Sequence, residues 1–591
     1  MKSTIKTLWK FLSNKKWKLL IGILLAFMGT VATLIGTYSI KPIINNYIIP
    51  QDFNGLLKGI AVLVIIFFVG TVSSCIQIQV ILRVAYSTLK GIREKLFSKI
   101  QSLPIAFFDK QTHGNILSLF TNDIEALQTS LEQSIVMLLT NIVQIIGTLV
   151  LMFLLSKKLI ILTIIMTFFI LLPLQLMGKK IQKYFNRQQN DIGILSGVGE
   201  EMISGHQDVL AFNFQERAKV LFKDKNNRYR ISSSRAQALS GAIMPIVNQM
   251  NSINFALTAI VGALFVLDNQ LDIGSLSAYL TLTINYNEPF KQLAVQASNV
   301  MQGLAGAGRI FRVLEQNEEM DKGDVTLEKS RHQIYWKMRG TKKRIPFKGK
   351  INISHVDFSY DESEGKVLKN ISIQANPGEK VALIGSTGSG KTTITNLINR
   401  LYGIKKGTIT IDNINITDIC LKDLRSAMGF VLQDTHLFTG TIYDNIRYGD
   451  LNASNEEVIA AAKLVHADHL ISQLPKGYDT LLINDGENIS VGQRQLISIA
   501  RTALSNPAIL ILDEATSSVD SRTEYLVNTG MDELMKNRTV IVIAHRLSTI
   551  RDAAEIIVLE NGEIIEKGNH KALMNKHGRY YEINEGIAQL S

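Results

Sequence analysis

Cysteine is nearly absent from this sequence of 591 residues, which contains only Cys75 and Cys420. They lie far apart and lack the spacing of metal ligands, so neither a disulfide framework nor a cysteine metal site is expected. Charged residues make up only 19% of the chain, and no basic stripe interleaved with aromatic residues is present. That absence argues against a nucleic-acid partner. A cleavable signal pattern is also missing, because the lysine-rich N-terminus precedes an apolar run too long for a signal peptide.

Apolar runs dominate the first half of the chain. Hydrophobic residues make up 46% of the sequence, and 63 Lys and Arg against 51 Asp and Glu give a net charge of +12. Crossing a bilayer as a helix takes about 20 mostly apolar residues. The runs are too long for the alternative of a soluble helical bundle, so we expect six membrane-spanning helices, with the last more polar than the others: residues 19–40, 56–82, 134–155, 159–177, 242–267 and 275 to about 301.

Basic residues set the expected orientation of these helices. Because cytoplasmic loops carry an excess of Lys and Arg, the N-terminus and the connections at 83–131 and 178–240 are predicted to be cytoplasmic. Lys157 and Lys158 are exceptions, since they fall in a predicted outer turn. Both long connections keep a helical apolar period, so we expect the membrane helices to extend into the cytoplasm. Each connection would present a short turn to the second half of the chain, near 113–123 and 208–216.

Several polar residues lie inside the predicted spans. Such groups are costly against lipid, so they are expected to face the bundle interior or a water-filled cavity, with plain interhelical hydrogen bonding as the alternative. Glu288 is the acidic member, and an acid at membrane depth is a candidate for substrate handling. The amides of this set are Asn141, Gln144, Asn248, Gln249, Asn251, Asn254, Asn285 and Asn287.

A glycine-rich turn organises the second half. Four apolar residues, 381–384, predict a buried strand, and a helical pattern follows the motif G-x-x-x-x-G-K-T. Backbone N–H groups in such a turn close around phosphate oxygens, Lys391 reaches the β- and γ-phosphates, and the Thr392 hydroxyl can ligate Mg²⁺. The alternative is a turn that binds nothing. The predicted phosphate-binding residues are Gly385, Ser386, Thr387, Gly388, Ser389, Gly390, Lys391, Thr392 and Thr393.

Two further strand ends carry polar chemistry. The run 509–512 ends in Asp513 and Glu514, of which the first can hold Mg²⁺ and the second can polarise an attacking water. His545 follows the next strand, 539–543, from where it can reach a γ-phosphate. Other strands are predicted at 351–358, 408–412 and 429–433, with a hairpin over 556–559 and 564–566. Residues 321–350 are charged and aperiodic, which indicates a solvated linker.

In this order the motifs resemble those of an ABC transporter, and the whole chain resembles a half-size exporter of the six-helix, domain-swapped type. The resemblance implies a helical transmembrane domain (1–315), a linker (316–349) and an α/β P-loop ATPase domain (350–591). It assigns Tyr360 to adenine stacking, Gln433 to the Q-loop, and 107–109 and 205–216 to the loops that carry coupling helices. It assigns the signature to Ser490, Gly492 and Gln493, the D-loop to Asp520, the catalytic base to Glu514 and the switch histidine to His545.

The resemblance also implies ATP and Mg²⁺ as cofactors, and a second half-transporter as partner. Two ATP molecules would lie between paired nucleotide domains, with Thr392, Gln433 and Asp513 around Mg²⁺. One position departs from the family pattern, since Val491 replaces the first glycine of the signature and its side chain would crowd a phosphate. The chain's own Asp513, Glu514 and His545 are nevertheless intact. The combination of an altered signature with these intact residues resembles one subunit of a heterodimeric exporter. A homodimer that tolerates valine is the alternative.

The function expected from the resemblance is ATP-driven export of amphipathic, multidrug-like solutes across the cytoplasmic membrane, in contact with membrane lipids. Lipid or peptide export by the same fold is the nearest alternative. A membrane regulator or channel that uses ATP only as a gating ligand is a second one, and intact Glu514 and His545 argue against it. An importer does not fit the order of the two halves. A peptide exporter with an N-terminal cysteine protease is not expected, because the first hundred residues carry only Cys75 and leave no room for that domain.

Overall fold

The structure, a computed structural model, describes residues 2–330, 333–340, 344–361, 365–432, 435–513, 521–544 and 550–585. It divides into two units. The membrane unit consists of Met1–Gln101 and His113–Gln316, and the soluble unit of Ser102–Thr112 and Asn317–Ser591.

The membrane unit is entirely helical. Its α-helices are α1 (Lys2–Ser13), α2 (Lys16–Tyr38), α3 (Ile40–Ile43), α4 (Phe53–Gln101), α6 (His113–Ser118), α7 (Ile124–Thr129), α8 (Ile135–Leu155), α9 (Leu159–Ser204), α10 (His206–Ala211), α11 (Gln215–Leu267) and α12 (Ile273–Leu314). Single π-helical turns at Ile44–Ile48, Leu119–Asp123 and Ser130–Ser134 continue the α-helices beside them. The short α5 (Ile105–Asp109) lies between α4 and α6 and belongs to the soluble unit.

Among the described residues, four helical stretches are long and apolar enough to cross a membrane: Lys16–Ile48, Phe53–Gln101, His113–Leu155 and Gln215–Leu267. The fourth predicted span begins with the shorter apolar stretch Leu159–Phe169, and the sixth is the more polar α12. At 1.5 Å per residue, the 53 residues of α11 extend about 80 Å, well beyond a hydrocarbon core of about 30 Å. The prediction that membrane helices continue far beyond the bilayer is therefore confirmed.

The first expected turn is placed wrongly by the apolar period. The chain reverses at Ser102–Thr112, before the predicted 113–123. Helix α4 ends there because Pro104 has no backbone N–H to donate to a helical hydrogen bond and is itself extended. Residues 113–123 instead form the start of the returning helix. The second turn lies where it was predicted, with α10 followed by a break at residues 212–214 before α11.

The described part of the soluble unit contains four sheets. Its strands are β1 (Val325–Ser330), β2 (Gln333–Met338), β3 (Arg344–Pro346), β4 (Ile351–Phe358), β5 (Leu368–Ala375), β6 (Lys380–Gly385), β7 (Lys406–Ile411), β8 (Ile414–Asn415), β9 (Met428–Val431), β10 (Gly440–Thr441), β11 (Leu481–Leu482), β12 (Ile509–Asp513), β13 (Thr539–Ile543), β14 (Glu555–Glu560) and β15 (Glu563–Gly568). The central sheet has the order β15-β14-β6-β13-β12-β9 and is parallel apart from the β14–β15 hairpin. Sheets β5-β4-β7-β8, β1-β2-β3 and β10-β11 are antiparallel.

Helices cover the central sheet. They are α13 (Lys391–Ile398), α14 (Leu421–Ser426), α15 (Ile442–Arg447), α16 (Asn455–Leu464), α17 (Ala467–Ser472), α18 (Val491–Ser505), α19 (Ser521–Met535), α20 (His570–Lys576) and α21 (Arg579–Asn584), with short 3₁₀ turns at Gly477–Asp479 and Asn484–Gly486. The middle strands are apolar at nearly every position because both sheet faces are covered. Every residue of β13 is thus buried. The strands predicted for this half are present, although the predicted 429–433 ends as a strand at Val431 and residue 433 lies outside the described residues. Strands β5, β8, β10 and β11 were not predicted.

The interpretation of residues 321–350 as a solvated linker is wrong. This stretch forms β1, β2 and β3, and Trp336 at its centre is 1% exposed. The Trp336 indole N–H donates to Asp412, a contact 76 residues away that no local pattern reveals. Acidic side chains at the start of this region, which suggested solvation, have partners far along the chain. Arg425 donates to Glu319, and Arg400 donates to Asp321.

Candidate nucleotide-binding site

The glycine-rich turn joins β6 to α13, as the motif requires. Gly388 and Gly390 have positive φ angles of 82° and 101°, a region that side chains with a Cβ rarely adopt. A Cβ on Gly390 would also lie 2.5 Å from the Leu368 side chain. The first turn of α13 therefore points its backbone N–H groups towards the space above the loop, the arrangement that binds phosphate.

Lys391 is folded back over this loop. Its ammonium donates to the carbonyls of Gly385 and Ser386 at 2.6 and 3.0 Å, and the residue is only 7% exposed. Burial lowers the pKa of Lys391, and the negative charge of Asp513 opposes that shift. A bound phosphate would supply the counter-charge that the loop carbonyls provide only in part. The geometry therefore holds a cation at the point where the phosphates are expected.

A cleft of about 450 Å³ opens beside the loop. Tyr360 stands at one wall, with its ring 44% exposed and its hydroxyl 3.0 Å from that of Thr393. An exposed ring in this position is free to stack on a planar base. The described residues that line the cleft are Tyr360, Val367, Thr387, Gly388, Gly390, Lys391, Thr392, Thr393, Asp513 and Ile543.

Oxygen donors suited to Mg²⁺ also line this cleft. The exposed side chain of Thr392 and the carboxylate of Asp513 both face it, and hydroxyl and carboxylate oxygens are the donors that Mg²⁺ prefers. Among the described residues, no group of three or more His, Cys, Asp or Glu is gathered as a metal site. A Mg²⁺ ion here would thus depend on one carboxylate, one hydroxyl, water and phosphate oxygens, which is the usual arrangement at nucleotide sites.

Four predicted site residues lie outside the described residues: Gln433, Glu514, Asp520 and His545. The predictions for them stand as they were made. The residues that sequence reasoning missed are Val367 and Ile543, which form apolar parts of the cleft wall. Ile543 could have been found, because it ends the strand beside β6, and ligands of such sheets lie at the carboxyl ends of the strands.

The signature residues form the start of α18. The Ser490 hydroxyl accepts from the Gln493 N–H at 3.2 Å, and the Gln493 side chain accepts from the Ser490 N–H at 2.9 Å. This reciprocal cap fixes both residues at the helix N-terminus, where an anion is favoured. Gly492 is buried, whereas Val491 is 46% exposed on the same turn. The valine thus stands at the surface where an approaching phosphate would meet the helix.

Comparison with known proteins agrees with this geometry. Residues 19–290 match the family described as ABC transporter transmembrane region, and residues 368–517 match the family described as ABC transporter. A fatty acid ABC transporter ATP-binding/permease protein of Mycobacterium tuberculosis (strain CDC 1551 / Oshkosh) is 36% identical over 90% of this chain and 82% of its own. The chain belongs to the ABC transporter family.

Two other similar proteins extend the comparison over the full chain. An ATP-dependent lipid A-core flippase of Vibrio vulnificus (strain CMCP6) is 31% identical over 98% of this chain and 97% of its own. The solved structure of a bacterial Atm1-family ABC exporter with ATP bound has a TM-score of 0.76 at 25% identity, covering 98% of this chain and 99% of that one. This ABC transporter therefore has a transmembrane region fused to an ATPase that couples ATP hydrolysis to transport, in the Atm1-family exporter fold.

The soluble unit of this transporter also contains the connection between α4 and α6, residues Ser102–Thr112. The Tyr402 hydroxyl donates to the carboxylate of Asp109 at the end of α5. The Tyr402 ring packs edge-on against Tyr360, with centroids 4.9 Å apart. One tyrosine thus contacts both the cleft aromatic and a predicted coupling segment, and neither contact was visible in the sequence.

The membrane unit has a polar cavity of about 290 Å³ between α2, α4, α8 and α12. Of the predicted intramembrane polar residues, Asn141, Gln144 and Asn285 line it. Asn287 instead donates to the carbonyl of Thr283 on its own helix, and Glu288 is exposed and outside the lining. The prediction that polar groups face the bundle interior or a cavity is thus confirmed for the three lining residues and for the buried Asn254 and Asn287. It is wrong for Asn248, Gln249 and Glu288, which are exposed.

Proposed function

We propose that this ABC transporter exports amphipathic molecules across the cytoplasmic membrane as one half of a dimer, and that lipid-like molecules are favoured over drugs. The observation that carries the proposal is the cleft that brings Lys391, Thr392 and Asp513 together in a chain that also contains helices of membrane-spanning length. Two relatives are named for fatty acid and lipid A-core transport, which supports a lipid-like molecule as the transported substrate. The excess of Lys and Arg in the N-terminus and the long connections supports a cytoplasmic location for the N-terminus and the ATPase.

In the proposed cycle, Tyr360 stacks on adenine and Lys391 holds the β- and γ-phosphates. Mg²⁺, bound by Thr392 and Gln433 with help from Asp513, would neutralise charge on the phosphates. Glu514 polarises the attacking water and His545 positions the γ-phosphate. Across the dimer, Ser490, Gly492 and Gln493 of one subunit and the D-loop Asp520 would close on the ATP held by the other.

We further propose that the partner is a different chain. Val491 crowds the phosphate approach, so this signature suits a degenerate site of the partner, while the intact Walker residues here work against the partner's signature. Purifying this chain alone tests the pairing. A heterodimer predicts little ATPase activity without the partner, and robust, substrate-stimulated activity of the single chain would overturn it.

The substitution Glu514→Gln tests the main proposal. Removing the base is expected to lower ATP hydrolysis in nanodiscs at least about a hundredfold while ATP binding is retained. If the unaltered transporter, with its partner, binds ATP without hydrolysing it, the chain is a gated regulator and the proposal fails. A parallel Glu288→Gln variant tests the narrower role of that acid, which is wrong if every substrate class is moved at the usual rate.

A further inference from the structure

The cavity of the membrane unit is lined mainly by hydroxyl and amide side chains. Each of four helices contributes at least one: Thr33 on α2, Gln77 on α4, Asn141 on α8 and Asn285 on α12. Among the lining residues that the structure describes, none is ionisable. Polar groups at membrane depth are expensive and mark ligand pathways by default.

The hydroxyls of this lining have already used their protons. Thr33 donates to the carbonyl of Gly29 at 3.1 Å, Thr37 to that of Thr33 at 2.9 Å, and Ser74 to that of Gly70 at 3.0 Å. A hydroxyl that donates to its own helix keeps its oxygen lone pairs as acceptors. This part of the wall therefore offers acceptors to a ligand that carries hydrogen-bond donors.

Asn141 adds a buried donor that lacks a partner. The residue is 5% exposed, it lines the cavity, and its Nδ2 makes no hydrogen bond within the described structure. Thr148 and Asn254 also carry unsatisfied buried atoms, but they are not part of the lining. An unpaired buried amide costs free energy unless a ligand or water satisfies it.

Three of the same helices also line a second, smaller pocket of about 40 Å³. Its described lining residues are all apolar and include Leu19 and Ile23 of α2, Ile81 of α4 and Val136 of α8. Along α2, this apolar part precedes the polar part that begins near Thr30. At this volume the pocket holds only a small part of an alkyl chain, so the polar cavity alone carries the inference about a ligand.

We propose that this cavity binds an uncharged, hydroxyl-bearing head group, such as that of a glycolipid or a glycerol ester. The inference rests on the proposed export of amphipathic molecules and names their head group. A carboxylate or an ammonium group would enter without a counter-charge in the lining, and burying an unpaired charge is costly. Glu288 lies one turn from Asn285 on α12, so a cationic substrate held by that acid is the competing outcome.

Three amphiphiles with the same twelve-carbon chain separate these outcomes: dodecyl glucoside, dodecanoate and dodecyltrimethylammonium. Their binding is measured below micelle-forming concentrations, without nucleotide, on the full transporter in nanodiscs with its partner subunit. We expect the glucoside to bind at least about tenfold more tightly than either charged amphiphile, and Asn141→Leu to weaken glucoside binding roughly tenfold. Asn285→Leu is a second variant, on another helix, in case Asn141→Leu does not fold.

The matched control is Thr148→Val, which removes an unpartnered hydroxyl of α8 outside the lining and should leave glucoside binding unchanged. Equal binding of dodecanoate overturns the inference, as does dodecyltrimethylammonium binding that Glu288→Gln abolishes. Unaltered glucoside affinity in both Asn141→Leu and Asn285→Leu also overturns it. Glucoside binding without any ATP-driven movement supports the cavity assignment and contradicts the export proposal instead, so the two failures are distinct.

Discussion

The two halves of this transporter solve opposite burial problems. In the soluble unit, β12 and β13 carry apolar residues that are at most 3% exposed apart from the terminal Asp513, because helices cover the sheet. In the membrane unit many apolar residues face outward, such as Phe68 at 67% and Phe168 at 65% exposure. Lipid is the solvent for those side chains. Nucleotide binding in the soluble unit depends on a fixed loop. Ligand binding in the membrane unit would depend on polar groups scattered through an apolar wall.

The difference implies that single residues matter most in the soluble unit. Lys391→Ala removes the buried cation of the loop and should lower ATP hydrolysis about 10²–10³-fold, mainly through lost phosphate binding. Nucleotide binding and ATPase assays in nanodiscs measure this. Lys369→Ala is the matched control, because that exposed lysine pairs with Glu563 at the surface and should leave hydrolysis unaffected. Substantial ATP hydrolysis by Lys391→Ala would contradict the site.

The stretch mistaken for a linker offers the next largest effect. Trp336→Ala empties a fully buried position and leaves Asp412 without its indole donor, so the soluble unit should lose about 3–5 kcal/mol of stability. Denaturant unfolding followed by circular dichroism measures the loss. Tyr335→Ala on the same strand, a half-buried position, is the control and should cost much less. Equal losses in the two variants would mean that the sheet β1-β2-β3 does not depend on Trp336.

Val491→Gly examines the signature. Glycine removes the exposed side chain at the start of α18, so a homodimer should hydrolyse ATP several-fold faster, since both of its sites would gain. In a heterodimer this signature faces the degenerate site, and the rate should change less than about twofold. ATPase assays of the chain alone and with its partner distinguish the two assemblies. The heterodimer proposal fails if the chain alone is the form that accelerates.

Tyr402→Phe should have the smallest effect, and it addresses the connection between cleft and coupling segment. The change keeps the ring beside Tyr360 and removes the hydroxyl that donates to Asp109. Basal ATP hydrolysis should stay within about twofold, while stimulation by an amphiphile should fall a few-fold. Asp109→Asn, which keeps an acceptor oxygen, should retain more of the stimulation. An unchanged ratio of stimulated to basal rate in Tyr402→Phe would show that this contact carries no coupling.

Much of the soluble site was predictable because its chemistry is local. The loop from Gly385 to Thr393 and the cap of α18 depend on residues within a few positions of one another. The long-range contacts were not predictable, since Trp336 with Asp412 and Tyr402 with Asp109 join residues 76 and 293 positions apart. A charged, aperiodic stretch such as 321–350 looks solvated until its distant partners are known.

The membrane unit was predictable in outline only. Apolar length fixed the helices, and polar residues indicated a cavity, because both follow from the cost of polar groups in lipid. Which amides line that cavity depends on helix rotation, which the sequence pattern left open. Asn141 and Asn285 turned inward to the cavity, whereas Asn287 bonds its own helix.

The central claim is that ATP bound to the soluble unit changes which side of the membrane has access to the cavity of the membrane unit. It is tested by placing a single cysteine at Asn285, with Cys75 and Cys420 replaced by serine, in the Glu514→Gln background that binds ATP without turnover. Labelling by a membrane-impermeant thiol reagent from outside is then compared with and without ATP. The account predicts that labelling from outside is at least several-fold greater when ATP is bound. Equal labelling in both states, with ATP binding verified, would contradict it.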